Sequence, residues 1–555
     1  MSGFAAAVTG CGGGGGSAGV TANSAGIVPV PAPAPAPAPT PTPTPPPVPT
    51  LNGVTIDQAE MEIRALITPE SEWISRARQL QTDVTVTSPA EFQTAVNALF
   101  DTAANPQVMG QNHRIQLAWN GPASVAGGAN ARVNVGRVYS TASHLESGGS
   151  ITIAAAPGYR PAFSNTMYIF AQGIIVQGVG FTRATAQGEL QTAIAGVLLA
   201  NGAAQPLEPV VHFQDCYFGH ASGLGTLGNF SSAALAAPDP EVLANGVSTQ
   251  GQSRFLSFQD CRFWGNANSA KIVSRALRMD GCDFSAMIVD AIDLFGHAFN
   301  SGYYSLAWIS RSTFRDRVNT WDGRNNHADG IQYCGPMDIH KGVRLLVTDC
   351  IMHLAHSFAG DPGKGGGTTG FQGSYNASLD NQFVIRRCTM LSTTPHAFTF
   401  YSPQASRPSF IDQSTFARAG RTPSSFAPDQ QPEQDYVVGI TGAPGSTPAT
   451  GNWLLVSNSI AFNIFDTTGA IFETVPVDPR PKAEAAQRPE TVFAGRNFSR
   501  GGAPANGIPQ KFGYDLPNER GSQTAFVSDI WANFAPAAAQ AQMGMPDLRA
   551  LRWKA

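Results

Sequence analysis

The chain reads as an all-β protein, a single-stranded parallel β-helix (solenoid) with an N-terminal capping helix. Three observations predict this class. A six-residue motif recurs along the chain at variable spacing. Five of the seven cysteines occupy the same position of that motif. A capped amphipathic segment stands directly ahead of the first strand-like runs.

In chain order, residues 1–28 form a Gly-rich leader. Val8-Thr9-Gly10 before Cys11 resembles the lipobox of bacterial lipoproteins. That resemblance implies an exported protein, anchored by lipid on Cys11 at the outer membrane, in the periplasm or at the cell surface. A Gly-rich tail with an incidental cysteine is the alternative. Residues 29–50 alternate proline with Ala, Thr and Val, which locks φ and favours polyproline II. At ~3.1 Å per residue the run Pro29–Pro49 reaches roughly 65 Å, a stiff spacer. Residues 51–81 are read as a helical lead-in.

The body is read over 82–465. Ser88, Pro89 and Glu91 supply an N-cap, an N1 proline and an N3 glutamate, the pattern of a capping box. Phe92, Ala95, Val96, Leu99 and Phe100 follow at helical spacing, so one face is apolar. Beyond it come short strand-like runs ending in Gly, Pro or Asn, including "GSITIAAAPGYRPAFSN". The motif then repeats from "VQGVGF" (176–181) to "VSNSIA" (456–461). Its small position is Val179, Cys216, Cys261, Cys282, Ser312, Cys350, Cys388, Ser414 and Ser459. A fixed motif at variable spacing is what stacked coils with insertions produce. Equivalent residues of stacked coils lie ~4.8 Å apart, so the cysteines are expected as a ladder of free, buried thiols. A disulfide framework would instead suit a small protein with scattered pairs. Residues 466–555 are read as C-terminal loops and a capping segment that closes the last coil.

From about Val84 to Phe462 the chain resembles the right-handed parallel β-helix proteins of the pectate-lyase-like superfamily. The resemblance rests on the capping helix, the "ITIAAAPGYRPAFSN" coil and the "IIVQGVGF" coil. That superfamily contains lyases, hydrolases, epimerases, tailspikes and adhesins, so it implies a fold and leaves the activity open.

A second recurrence points to a site. "DAIDLFG", "DGIQYCG", "TGFQGS" and "HAFTFYS" can be overlaid with Ile292, Ile331, Phe371 and Phe398 inward. Alternation then puts Asp293, Gln332, Gln372 and Thr399 outward in one column, a candidate groove floor. The distance from the small residue to this element is 9 in two coils, but 18 from Ser312 and 20 from Cys350. The extra residues gather charge and histidine in a chain only 13 % charged. They include "NTWDGRNNHADGIQYCG" (319–335), and loops on one edge of a rigid scaffold are where binding chemistry is commonly placed.

β-Elimination on a uronate polymer needs a cation to neutralise the carboxylate, a base for the C5 proton and an acid for the leaving oxygen. Arg324 suits the first role, His327 or Lys341 the second, and Tyr375 or His340 the third. Asp322, Asp329, Gln332, Asp293, Gln372 and Lys364 are candidate substrate-binding residues. Asp290, Asp293, Asp322 and Asp329 form a candidate Ca²⁺ set; otherwise no cofactor is expected. Bland roles compete: Asp329 before Gly330 suits a turn cap, and Asp322 with Arg324 suits a surface ion pair. His353 and His356 lack the pattern of a zinc protease. The favoured reading is a polysaccharide lyase. An inverting glycoside hydrolase using Asp293, Asp322 and Asp329, and a non-catalytic carbohydrate-binding or adhesin-like protein, are the alternatives. A net charge of -4 gives no overall basic excess that would point to nucleic acid. No apolar run reaches the roughly 18 residues of a membrane helix, so the membrane enters only through the lipid. A monomer is expected.

Overall fold

The computed structural model describes residues 48–473 apart from gaps, the longest being 183–196, 220–246, 318–328, 357–370 and 419–437. Contacts divide the chain into two units, Met1–Pro47 and Val48–Ala555; the first, with Cys11, lies outside the described residues, as do 474–555.

Three parallel sheets of 13, 11 and 11 strands are visited in rotation, one strand of each per coil. The first sheet runs from Gln81–Val86 to Ile471–Glu473, the second from Asn120–Ala123 to Ile460–Ala461, and the third from Arg132–Val135 to Ile464–Asp466. This is the parallel β-helix that the repeats predict. No described helix is long and apolar enough to cross a membrane.

The recurring motif is the corner between the first and second sheets. Asp215, Asp260, Arg311, Asp349, Arg387 and Gln413 hold φ between 48° and 57°, as Gly178 and Gly281 do at 68° and 67°. Left-handed backbone costs most residues ~1–2 kcal/mol, which explains why this motif position is polar or glycine. The two arginines are held by bidentate pairs, Arg311 to Asp280 and Arg387 to Asp349. The next residue points inward: all nine small positions, from Val179 to Ser459, are buried. The five motif cysteines are free thiols. Ser312 shows why serine alternates with cysteine. Its hydroxyl donates to the Ser310 carbonyl at 2.9 Å and accepts the Cys282 N–H of the previous coil at 3.1 Å. Ser414 repeats this with Asp412 and Cys388.

Beside the ladder the second sheet stacks aromatics into the core. Phe181, Phe218, Phe263, Phe284 and Phe314 follow one another with ring centroids 5.1, 4.8, 4.6 and 4.8 Å apart and planes within 13°. The register then places Met352, Met390 and Phe416 in the same column. Each buried Phe side chain contributes roughly 1.5–3 kcal/mol by area.

Helix α1 (Ile56–Ser71) and the short α2 (Trp73–Ala77) occupy the lead-in, and α3 (Pro89–Leu99) is the predicted capping helix. Phe92 and Val96 enter the core, and Phe92 meets Phe163 at 5.2 Å. Gln93 bonds the backbone of the first strand of the third sheet, donating to Asn134 O and accepting from Asn134 N at 2.9 and 2.8 Å. An open sheet edge is thereby covered. The capping box differs from its expected form. Ser88 accepts the Glu91 N–H, but Glu91 reaches back to the Thr87 N–H and hydroxyl. The complete box is at α1, between Thr55 and Gln58.

Helix α1 lies on the outer face of the first sheet, where Ile56, Ala59, Ile63 and Ile67 share a cluster with Ile175, Phe255, Leu346 and Phe410. Charges fasten its flanks. Arg386 pairs with Asp57 and Glu60, Arg344 and Arg407 with Glu62, and Arg254 with Glu70.

Candidate functional site

The third sheet carries the predicted column. Cα register pairs Asp293 with Gln332, Gln332 with Gln372 and Gln372 with Thr399, while Ile292, Ile331, Phe371 and Phe398 form the neighbouring column. Ile292 and Ile331 are fully buried, as their inward assignment requires.

The register adds Lys271, paired with Asp293 on the preceding rung. Sequence reasoning missed it, although "SAKIV" carries the signal: extending the overlay one coil towards the N-terminus places Lys271 over Asp293. Lys271 is half-buried, and its charge acts on the Asp290 and Asp293 carboxyls.

Asp290 and Asp329 stand at equivalent positions just before these strands. The parallel ladder continues through them: Ser269 N donates to Asp290 O at 2.9 Å, and Ala291 N to Asp329 O at 2.9 Å. The Asp290 side chain also accepts the Asp329 N–H at 2.8 Å. Asp290 therefore makes a turn-capping contact of the kind read for Asp329 in the sequence. All three acids are buried, with 4 %, 4 % and 1 % exposure for Asp290, Asp293 and Asp329.

Burial without matching solvation penalises charge. Burial, with the nearby Asp329 and Asp293, pushes the Asp290 carboxyl well up; the Asp329 N–H and Lys271 oppose this. Asp293 is pushed up to about 7, chiefly by burial, with Lys271 lowering it and Asp329 raising it. Its Oδ1 has no hydrogen-bond partner among the described residues. Near neutral pH this corner holds protonated carboxyl next to a lysine, which equips it to deliver or accept a proton.

A Ca²⁺ ion needs six to eight oxygen ligands. Among the described residues no trio of acids, histidines or cysteines converges as a metal-binding group. Asp322, the fourth member of the predicted set, lies outside the described residues, so no step below is routed through a metal. Arg324, His327, His340, Lys341, Lys364 and Tyr375 also lie outside the described residues. Gln372 is placed on its strand by backbone register alone.

Long connections occur at the predicted corner in more coils than the two singled out. The strands of the second and third sheets are joined through 318–330 and 357–370, as expected, but also through 182–196, 220–246 and 419–437. That corner lacks the two-residue turn that fixes length at the first, so it tolerates insertion in many coils. A separate cleft of about 410 Å³ opens at the first corner, between Arg160, Tyr217 and Arg262, and touches none of the acidic column.

No protein-family model matches the chain, and no curated protein matches it. Among solved structures it is similar to the crystal structure of pectate lyase Pel9A, at 12 % identity and a TM-score of 0.39. The match covers 67 % of this chain and 84 % of that one. At such identity no residue role passes from one chain to the other.

Proposed function

We propose that the protein is a polysaccharide lyase that cleaves a uronate-containing polymer on the outer face of the third sheet. The observation that carries this reading is the buried Asp293, its pKa pushed up to about 7, paired in register with the half-buried Lys271. In β-elimination a base removes the C5 proton, the C4–O bond breaks, and the leaving oxygen takes a proton as C4 and C5 become doubly bonded. Lys271 and Arg324 would neutralise the uronate carboxylate and so acidify C5. His327 or Lys341 would take the proton. The protonated Asp293 would supply the leaving oxygen, in place of or beside Tyr375 or His340. Gln332 and Gln372, further along the column, would orient the chain.

General acid–base groups contribute typically 10²–10⁴-fold. Asp293→Asn, His327→Ala and Arg324→Ala should each lower the rate at least about a hundredfold without altering the circular dichroism of the fold. The deciding experiment is a screen of acidic polysaccharides, including alginate, pectate, glycosaminoglycans and bacterial exopolysaccharides. Elimination leaves a conjugated C4–C5 double bond that absorbs in the ultraviolet. New reducing ends without absorbance would establish the second reading, an inverting hydrolase with Asp293 as acid and Asp322 or Asp329 as base. That reading draws on the same raised pKa. Binding with neither signal would mark a carbohydrate-binding module.

The proposed anchor is lipid on Cys11. Mass spectrometry of membrane fractions should find the modified cysteine, and Cys11→Ser should release the protein. An unmodified wild-type N-terminus would end that proposal.

A further inference from the structure

We propose that Arg132, Tyr168 and Phe170 form a second carbohydrate subsite, which holds a uronate unit of the same polymer about four sugars from the acidic column. This rests on the polymer reading above and extends it to a part of the groove to which that reading assigns nothing.

The three residues lie on the third sheet near its first strands. Met167 and Ile169 are fully buried, whereas Tyr168 between them is half-buried, as is Phe170. Strand alternation therefore puts both rings on the outer face. Their centroids are 6.0 Å apart with planes at 22°, and the exposed Arg132 guanidinium sits 4.6 Å from the Tyr168 centroid. No ion pair joins Arg132 to a carboxylate among the described residues. The platform is held in place, because α3 bonds the backbone of the Arg132 strand through Gln93 and Asn134.

Register connects this platform to the site. Tyr168 pairs with Leu198, Leu198 with Ser248, Ser248 with Lys271, and Lys271 with Asp293. At roughly 4.8 Å per rung, Tyr168 and Asp293 are about 19 Å apart along the solenoid, the reach of about four linked pyranose units. Two cations, Arg132 and Lys271, thus stand on the same sheet with their strands four rungs apart, Arg132 entering the Tyr168 column through its guanidinium. An aromatic surface packs against the C–H face of a sugar, and a guanidinium fork matches a carboxylate. A polymer with a carboxylate on successive units meets both ends of this column at once. A neutral polymer gains only the aromatic contact.

The test is a set of dissociation constants for uronate oligosaccharides, dimer to octamer, prepared from pectate and from alginate. The full chain carrying Asp293→Asn is used so that binding is read without cleavage. Affinity is expected to rise from trimer to hexamer. Adding Arg132→Gln or Tyr168→Ala should weaken the octamer about tenfold, the scale of one charge-assisted contact, and leave the dimer unchanged. Carboxyl-reduced octamer should bind with and without Arg132→Gln alike. Equal octamer affinity in all variants would overturn the subsite. So would equal losses for dimer and octamer, which would mark a structural role. Should Tyr168→Ala fail to fold, the exposed Arg132→Gln still decides. Absence of any binding before the added changes would sink the polymer reading as well, a pattern distinct from binding that ignores the platform.

Discussion

His144 is fully buried near the capped end, its Nε2 3.1 Å from the Leu99 carbonyl and its ring edge-on to Phe100 and His113. Burial lowers its pKa to about 4, with help from His113 and against the carbonyls of Leu99 and Met109. The unfolded chain, with His near 6.5, then binds the proton first as pH falls. The stability that neutral His144 supplies is present above about 6.5 and is lost towards pH 4, on the order of 3 kcal/mol in all. Thermal melts should therefore decline across that window, and His144→Gln should flatten the decline. Asp293 has the opposite sign. Its folded pKa of about 7 lies above the unfolded value, so the folded state holds the extra proton and loses stability as pH rises through 7. Asp293→Asn should raise the melting temperature at pH 8, and a rate that needs its proton should fall above pH 7. A melting temperature unchanged by that substitution would remove the basis for Asp293 as the acid.

At the scale of the element, the small corner residue and the stacked phenylalanines can be tested apart. Serine already fills the corner at Ser312, Ser414 and Ser459, so Cys261→Ser should cost under about 1 kcal/mol, whereas Cys261→Leu should cost about 1–3 by overpacking. Phe284, between two rings at 4.6 and 4.8 Å, should cost about 3–5 kcal/mol as Phe284→Ala. Denaturant unfolding would read all three. These elements were legible in the sequence for a physical reason. A two-residue corner with one left-handed residue fixes both spacing and residue type, and strand alternation fixes Asp293 and Gln332 as neighbours on one face. The site was legible only in part. Lys271 lay one coil outside the overlay, and Asp290 caps the Asp329 N–H, a contact the sequence had not marked. The connection lengths marked two long connections and left three others unmarked, because a corner without a fixed turn places little constraint on sequence.

Across the molecule, the least legible feature was the path of the lead-in. Its helix could be expected; its partners could not, since they are apolar and basic residues scattered over many coils. Arg344 has only 8 % of its side chain exposed and faces Glu62, which also holds Arg407. Glu62→Ala leaves a buried guanidinium short of its partner and should cost more than loss of the more exposed Arg254–Glu70 pair, about 2 kcal/mol against under 1. A double-mutant cycle with Arg407→Ala would separate the two contacts.

The order of the pairs along α1 has a consequence in time. Asp57 meets Arg386, 329 residues later, and Glu62 meets Arg407, 345 residues later. Leu51, before the helix, shares a cluster with Leu455. During synthesis the lead-in emerges first, yet its berth is completed only when the late coils have been wound. Coils can add one upon another by nearest-neighbour contacts, starting from the α3 cap, while the amphipathic α1 waits. Its berth is complete only once the late coils are in place, and a chain truncated before residue 386 would carry the helix with its first ion pairs missing.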